Sequence, residues 1–273
     1  MANFFKVLTE AIDDFVEHGF SSQQQLEDWL ARLRESAKAS MVPEYVLQRS
    51  LTKALKDAYN RSVNPKTLAK VHPGVSLYTI ENIKPKLRAE LDRRILASAN
   101  LITLNRQASI ARTLQRFAGW STSIPKGGTD VAKRKEVKQS IRRCIAGLPF
   151  EERRVVIDQA HKLSVAVSDI VAVDGGAIVA KWQHVREGGG YQARPAHEER
   201  SGTLYVIRGS WADKAGYIKG LPYSDTVEQP AELINCRCRW IYGFTLRDVP
   251  VKNRTAKGME ALLEARNKLR AVS

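Results

Sequence analysis

The spacing of apolar residues changes once along this chain, near residue 165, and that change limits the folds open to it. Before it, apolar side chains recur at i, i+3 and i+4, the spacing that lays a stripe along one side of a helix. After it come short β-branched and aromatic runs separated by glycines, which suit strands and loops. The expectation is an α+β protein: a mainly α-helical N-terminal half, a small mixed α+β C-terminal module and a terminal helix.

The helical half divides by its punctuation. Phe4, Phe5, Leu8, Ile12 and Phe15 share one face. Ser21-Ser22 followed by Gln25 has the form of a capping box and opens a helix through about Lys38, with Leu26, Trp29, Leu30 and Leu33 inward. Pro43 starts a third, carrying Val46, Leu47, Leu51, Leu55 and Tyr59. Residues 62–82, with Pro65, Pro73 and Gly74, read as a long connection, and Pro85 as the start of a helix to about residue 117. Asp130 is placed to cap a helix over 131–146, whose apolar face is Val137, Ile141, Cys144, Ile145 and Leu148. Glu151-Glu152 begins another helix. Further on, 177–182 is strand or helix end, while 203–207 and 237–242 are strands. The boundaries that follow are 1–61 for an N-terminal helical region, 62–164 for a basic helical region, 165–250 for the α+β module and 251–273 for an amphipathic tail helix. A helix of that length is marginal alone, so the tail orders by packing on the body or on a partner.

Charge is concentrated rather than spread. The chain carries +15 overall, yet residues 61–150 hold 18 basic and 5 acidic side chains, whereas 151–240 hold 12 of each. A local excess of this size suits a polyanion, because each neutralised phosphate releases condensed counterions. Arg134, Lys138 and Arg142 form a stripe opposite the apolar face of the 131–146 helix, flanked by Lys135 and Arg143. These five are the candidate contacts to DNA, without sequence preference; the alternative is a solvated face. No apolar run approaches the roughly 20 residues that span a bilayer. The acids Glu10, Asp13, Asp14 and Glu17 are unlike a secretory leader, and three cysteines make no disulfide framework, so synthesis in a reducing cytoplasm is expected.

Cys236 and Cys238, two apart, face the same way if they lie on a strand. They suit buried structural cysteines, a disulfide formed late, or, with His197 and His184, ligands for zinc. Structural zinc sites usually pair cysteines at Cys-x2-4-Cys, so the expectation is a site with no metal and no cofactor. Arg194, His197, Glu198 and Glu232 offer a base, an acid and a cation, the groups a nuclease needs. Their spacing matches no catalytic motif. Trp182, Trp211 and Trp240 could stack on bases but lie in the neutral segment, and core packing suits them better. Gly188-Gly189-Gly190 lacks the Lys-Ser/Thr of a phosphate loop.

Taken in order, Trp182, Arg194-x-x-His197, Gly202 and Asn235-Cys236-Arg237-Cys238 resemble the C-terminal module of phage head morphogenesis proteins, the minor head proteins of the phage Mu F family. The resemblance covers roughly residues 165–245, with a weaker echo at Ile110-Ala111-Arg112-Thr113. Where that family has an acidic residue after the Trp, this chain has Gln183-His184. The resemblance implies a non-enzymatic virion component in the head interior or at the portal vertex. Its partners would be the portal or capsid protein and packaged DNA, and it would act in head morphogenesis or genome ejection. A nuclease-like enzyme centred on His197 and a host nucleic-acid-binding protein are the competing expectations.

Overall fold

The computed structural model describes residues 2–129, 134–185 and 194–272. Its elements are, in order, α1 (Ala2–His18), α2 (Gln23–Ala39), α3 (Glu44–Ser62), α4 (Pro65–Val71), α5 (Leu77–Ser121), α6 (Arg134–Ala146), α7 (Leu148–Asp174), β1 (Val179–Gln183), α8 (Pro195–Glu199), β2 (Leu204–Val206), α9 (Trp211–Lys214), β3 (Arg239–Gly243) and α10 (Ala256–Val272), with three short 3-10 turns among the later ones. The mainly helical α+β architecture with a terminal helix is as expected. The chain forms two units, one from residues 1–52 and 96–156, the other from 53–95 and 157–273. α3, α5 and α7 each contribute to both, so neither unit is a continuous stretch of sequence.

The first unit buries the apolar stripes read from the sequence. Phe4, Leu8, Ile12 and Phe15 of α1, Leu26 and Leu33 of α2, Phe117 of α5 and Ile141 and Ile145 of α6 form one core, with Phe15 and Phe117 edge to face at 5.6 Å. Ser22 caps α2 by accepting from the Gln25 N–H, and the Gln25 carboxamide accepts from the Ser21 N–H, so two end donors are satisfied reciprocally. Asp14 of α1 ties α2 down by accepting from the Trp29 indole at 2.7 Å and the Gln25 amide at 3.0 Å.

The segment 62–82 is more regular than a connection. Asn64 accepts from the Lys66 N–H and Pro65 occupies the first turn of α4, while the Ser76 hydroxyl accepts from the Thr79 N–H and starts α5 eight residues before Pro85. Pro85 therefore sits inside α5, where it removes a single backbone donor.

The second unit is organised by a three-stranded antiparallel sheet in the order β2-β1-β3. α7 runs without a break through the Val165–Val173 stretch and ends where Gly176 takes φ +85°, which only glycine adopts freely. The chain then enters β1, whose Val179, Ala180 and Trp182 are buried while Lys181 is exposed. One side of the sheet packs Trp182, Tyr205, Trp240, Cys236 and Cys238; a second cluster holds Ile178, Val179, Ala212, Leu246 and Val249, against which Ala261 and Leu262 of α10 pack. Among the described residues no helix is long and apolar enough to cross a membrane.

Candidate functional site

His197 is the centre of the cluster. Pro195 occupies the first turn of α8, and this short helix turns His197 inward until only 1% of it is exposed. Its Nδ1 lies 3.5 Å from Cys236 Sγ and 3.5 Å from Cys238 Sγ. Its Nε2 lies 3.3 Å from Glu228 Oε2, and its ring meets Trp182 edge to face at 5.3 Å. Arg200 lies over the Trp182 ring at 5.4 Å and 3.6 Å from the Glu228 carboxylate.

The two cysteines precede β3 rather than lying on it, yet both are fully buried and turned to the same ring. The turn that carries them is shaped by Asn235, in the left-handed region at φ 59°, a conformation Asn tolerates better than most residues. Its N–H donates to Asp158 Oδ1 at 2.7 Å, and Arg194 donates to the Ile234 carbonyl at 3.2 Å. Lys162 pairs with Asp158 at 3.2 Å and donates to the Glu232 carbonyl. Gly202, at φ +87°, donates its N–H to the Trp182 carbonyl and closes the return into β2. The structure thus brings together Trp182, Arg194, His197, Gly202, Asn235, Cys236 and Cys238, while Arg237 between the sulfurs is half-buried.

The thiols differ electrically. A hydrogen bond from Cys238, helped by backbone N–H groups, holds Cys236 down to about 5, and the same bond together with burial pushes Cys238 up. Both ring nitrogens of His197 are already engaged, which leaves no free lone pair for general base work on a phosphate. Glu198 pairs with His184 at 3.8 Å, and Glu232 accepts from the Gln229 N–H at 2.8 Å. Trp182 and Trp240 are core residues, whereas Trp211 is 45% exposed and rests edge-on against Tyr217.

Glu228, Asp158, Lys162 and Arg200 belong to this site and were not singled out by sequence. Each lies on a different stretch from the motif residue it serves, and only Asp158 and Lys162, four apart on α7, carried a local signal. A cavity of about 350 Å³ opens beside the cluster, lined in part by Arg94, Lys162, Asp169, Gln229 and Trp240.

The basic stripe of α6 is divided. Lys138 pairs with Asp13 at 2.9 Å, and Arg142 donates to the Phe5 carbonyl and the Thr9 hydroxyl of α1. Lys135 and Arg143 are exposed. Asp130, Gly188-Gly189-Gly190 and the side chain of Arg134 lie outside the described residues. Elsewhere in the basic block Lys86, Arg88, Arg93, Arg94 and Arg106 are paired with carboxylates. Comparison with protein-family models, with curated proteins and with solved structures returns no match.

Proposed function

We propose that this chain is a minor head protein of a tailed phage, a non-enzymatic virion component that contacts the portal or inner capsid and packaged DNA. One observation carries this reading. The scattered residues of the Mu F-like pattern, from Trp182 to Cys238, converge on one buried cluster and hold one another in place. A pattern that forms one interlocked core behaves as a module rather than a chance string of residues. The basic balance of residues 61–150 supports the same role, since a protein lining a filled head faces dense phosphate. The nuclease reading loses support from His197, whose two ring nitrogens face sulfur and carboxylate rather than solvent.

The test is mass spectrometry of purified particles from the phage that encodes the chain, beside particles made without it. The proposal expects a few copies per DNA-filled head and a loss of infectivity without the chain. Its absence from particles, or nuclease turnover that disappears in His197→Ala, would overturn it.

A further inference from the structure

We propose that His197 Nδ1, Cys236 Sγ and Cys238 Sγ form a zinc site, with water as the fourth ligand. The three donor atoms lie within 4.8 Å of one another, and all three residues are buried. With Zn–S of about 2.3 Å and Zn–N of about 2.0–2.1 Å, tetrahedral angles set a sulfur and a nitrogen about 3.6 Å apart. Both sulfur–nitrogen separations here are 3.5 Å. A hydrogen bond explains one such distance, because a single proton lies on one S–N line. Two equal distances from one nitrogen match two edges of a zinc tetrahedron, and the two sulfurs lie within 4.8 Å of each other.

The surroundings fit a ligated imidazole. Metal-bound histidines commonly donate their second N–H to a carboxylate, which fixes the tautomer and raises ligand basicity. Glu228 Oε2, 3.3 Å from His197 Nε2, stands in that position and is steadied by Arg200. Trp182 Nε1, Arg200 Nη1 and Glu228 Oε1 are buried polar atoms without hydrogen-bond partners on residues that touch this cluster. The N–H donors of Trp182 and Arg200 call for an acceptor such as water rather than for a cation.

The charge balance favours zinc over a bare thiol pair. Zinc binding, with release to solvent of any proton the thiols still hold, leaves two thiolates, a neutral imidazole and a divalent cation, a core of zero net charge. A neutral core is what a buried site tolerates, since an uncompensated buried charge is costly. The ligands come from α8 and from the turn before β3, so the metal would bridge two segments that the sheet alone does not join.

The test uses the full chain, purified under reducing conditions without chelator or polyhistidine tag. Elemental analysis is expected to find about one zinc per chain in wild type and in Cys144→Ser. After zinc is stripped, titration with Co2+ alone should give visible bands of tetrahedral cobalt and an ultraviolet thiolate-to-cobalt band of two-thiolate intensity. Glu228→Gln should keep both bands but weaken affinity roughly 10–100-fold. Cys236→Ser and Cys238→Ser should lose the two-thiolate band. If they do not fold, wild type, Cys144→Ser and Glu228→Gln still decide the matter. Wild-type protein that is metal-free after growth in zinc and shows no thiolate-to-cobalt band overturns the proposal. So does a Cys236–Cys238 disulfide found by mass under reducing purification.

Discussion

Trp182 and Trp240 stand opposite each other across β1 and β3, their rings 5.2 Å apart and nearly perpendicular at 87°. Tyr205 adds a second edge-to-face contact to Trp240 at 5.3 Å, and His197 meets Trp182 edge to face, also at 5.3 Å. The aromatic stack therefore joins all three strands to the cysteine cluster. Truncating Trp182 or Trp240 to Ala should lower stability by about 3–5 kcal/mol, the usual cost of removing a buried aromatic. Chemical denaturation followed by far-ultraviolet dichroism checks this; a loss below about 1 kcal/mol would show that the stack is not the core of the unit.

Acidification should weaken the second unit through its buried histidines. Burial lowers His72 from 6.5 to about 4, and burial likewise lowers His161. The unfolded chain then binds more protons than the folded one between those values, so stability falls as pH drops through 6.5. For His72 the loss is about 2 kcal/mol at pH 5. Asp169 acts the other way, since burial raises it and acid relieves the cost of its buried charge. His72 accepts from or donates to the Ser168 hydroxyl at 3.1 Å, a contact that Gln preserves. His72→Gln should flatten the stability curve between pH 7 and 5; parallel curves for variant and wild type would refute the assignment.

Two glycines in the first unit should tolerate no side chain. A Cβ on Gly19 would lie 1.9 Å from the Pro125 carbonyl oxygen, and one on Gly128 2.4 Å from that of Val16, both at positive φ. Gly19→Ala and Gly128→Ala should each cost about 2 kcal/mol or more. Gly127→Ala, with the same backbone hand and open space around it, should cost about 1 kcal/mol. Thermal melts of the three variants give the ranking, and equal losses would show that conformation rather than crowding sets the cost.

DNA binding should depend on a subset of the basic stripe. Lys138 and Arg142 hold α6 to α1, so reversing them to Glu should damage the fold before it affects binding. Lys135 and Arg143 are exposed and suit a clean test. Affinity for duplex DNA should fall with salt by about 0.9 log units per contacted phosphate and log unit of salt. Lys135→Glu with Arg143→Glu should flatten that slope at unchanged stability. A protein with no affinity for DNA at low salt would refute the DNA-facing role.

What sequence could and could not tell follows from the range of each interaction. The helices of the first unit were legible because apolar spacing and the Ser22–Gln25 cap are local. α4 and the early start of α5 were hidden because prolines draw the eye to breaks, while the caps Asn64 and Ser76 act over two or three residues. The members of the cysteine cluster were legible one by one. Their meeting was legible as an expectation, but the metal reading was not favoured, because Cys-x-Cys falls outside the usual zinc spacing and the third donor arrives from α8. Nor did spacing tell Lys138, which pairs with Asp13 of α1, from exposed Lys135.

The tail helix has two halves with different roles. The Thr255 hydroxyl accepts from the Gly258 N–H and donates to the Gly216 carbonyl, anchoring the start of α10. A Cβ on Gly258 would lie 2.5 Å from the Tyr217 carbonyl, so the backbones meet there, and Ala261 and Leu262 pack on the Ile178–Leu246 cluster. From Leu263 through Arg270 every side chain is exposed, including Leu263 and Leu269. Removing residues 264–273 should therefore leave the melting temperature within a few degrees of wild type, because residues 264–270 are exposed and little apolar burial goes with them. Removing 255–273 should lower it clearly, because Leu262 and the Thr255 anchor go with it. In the proposed role the exposed half meets a partner, as amphipathic helices do in a groove. The shorter truncation should then fold normally yet enter particles poorly, measured by mass spectrometry of purified heads. Normal incorporation of that truncation would place the docking surface elsewhere on the chain.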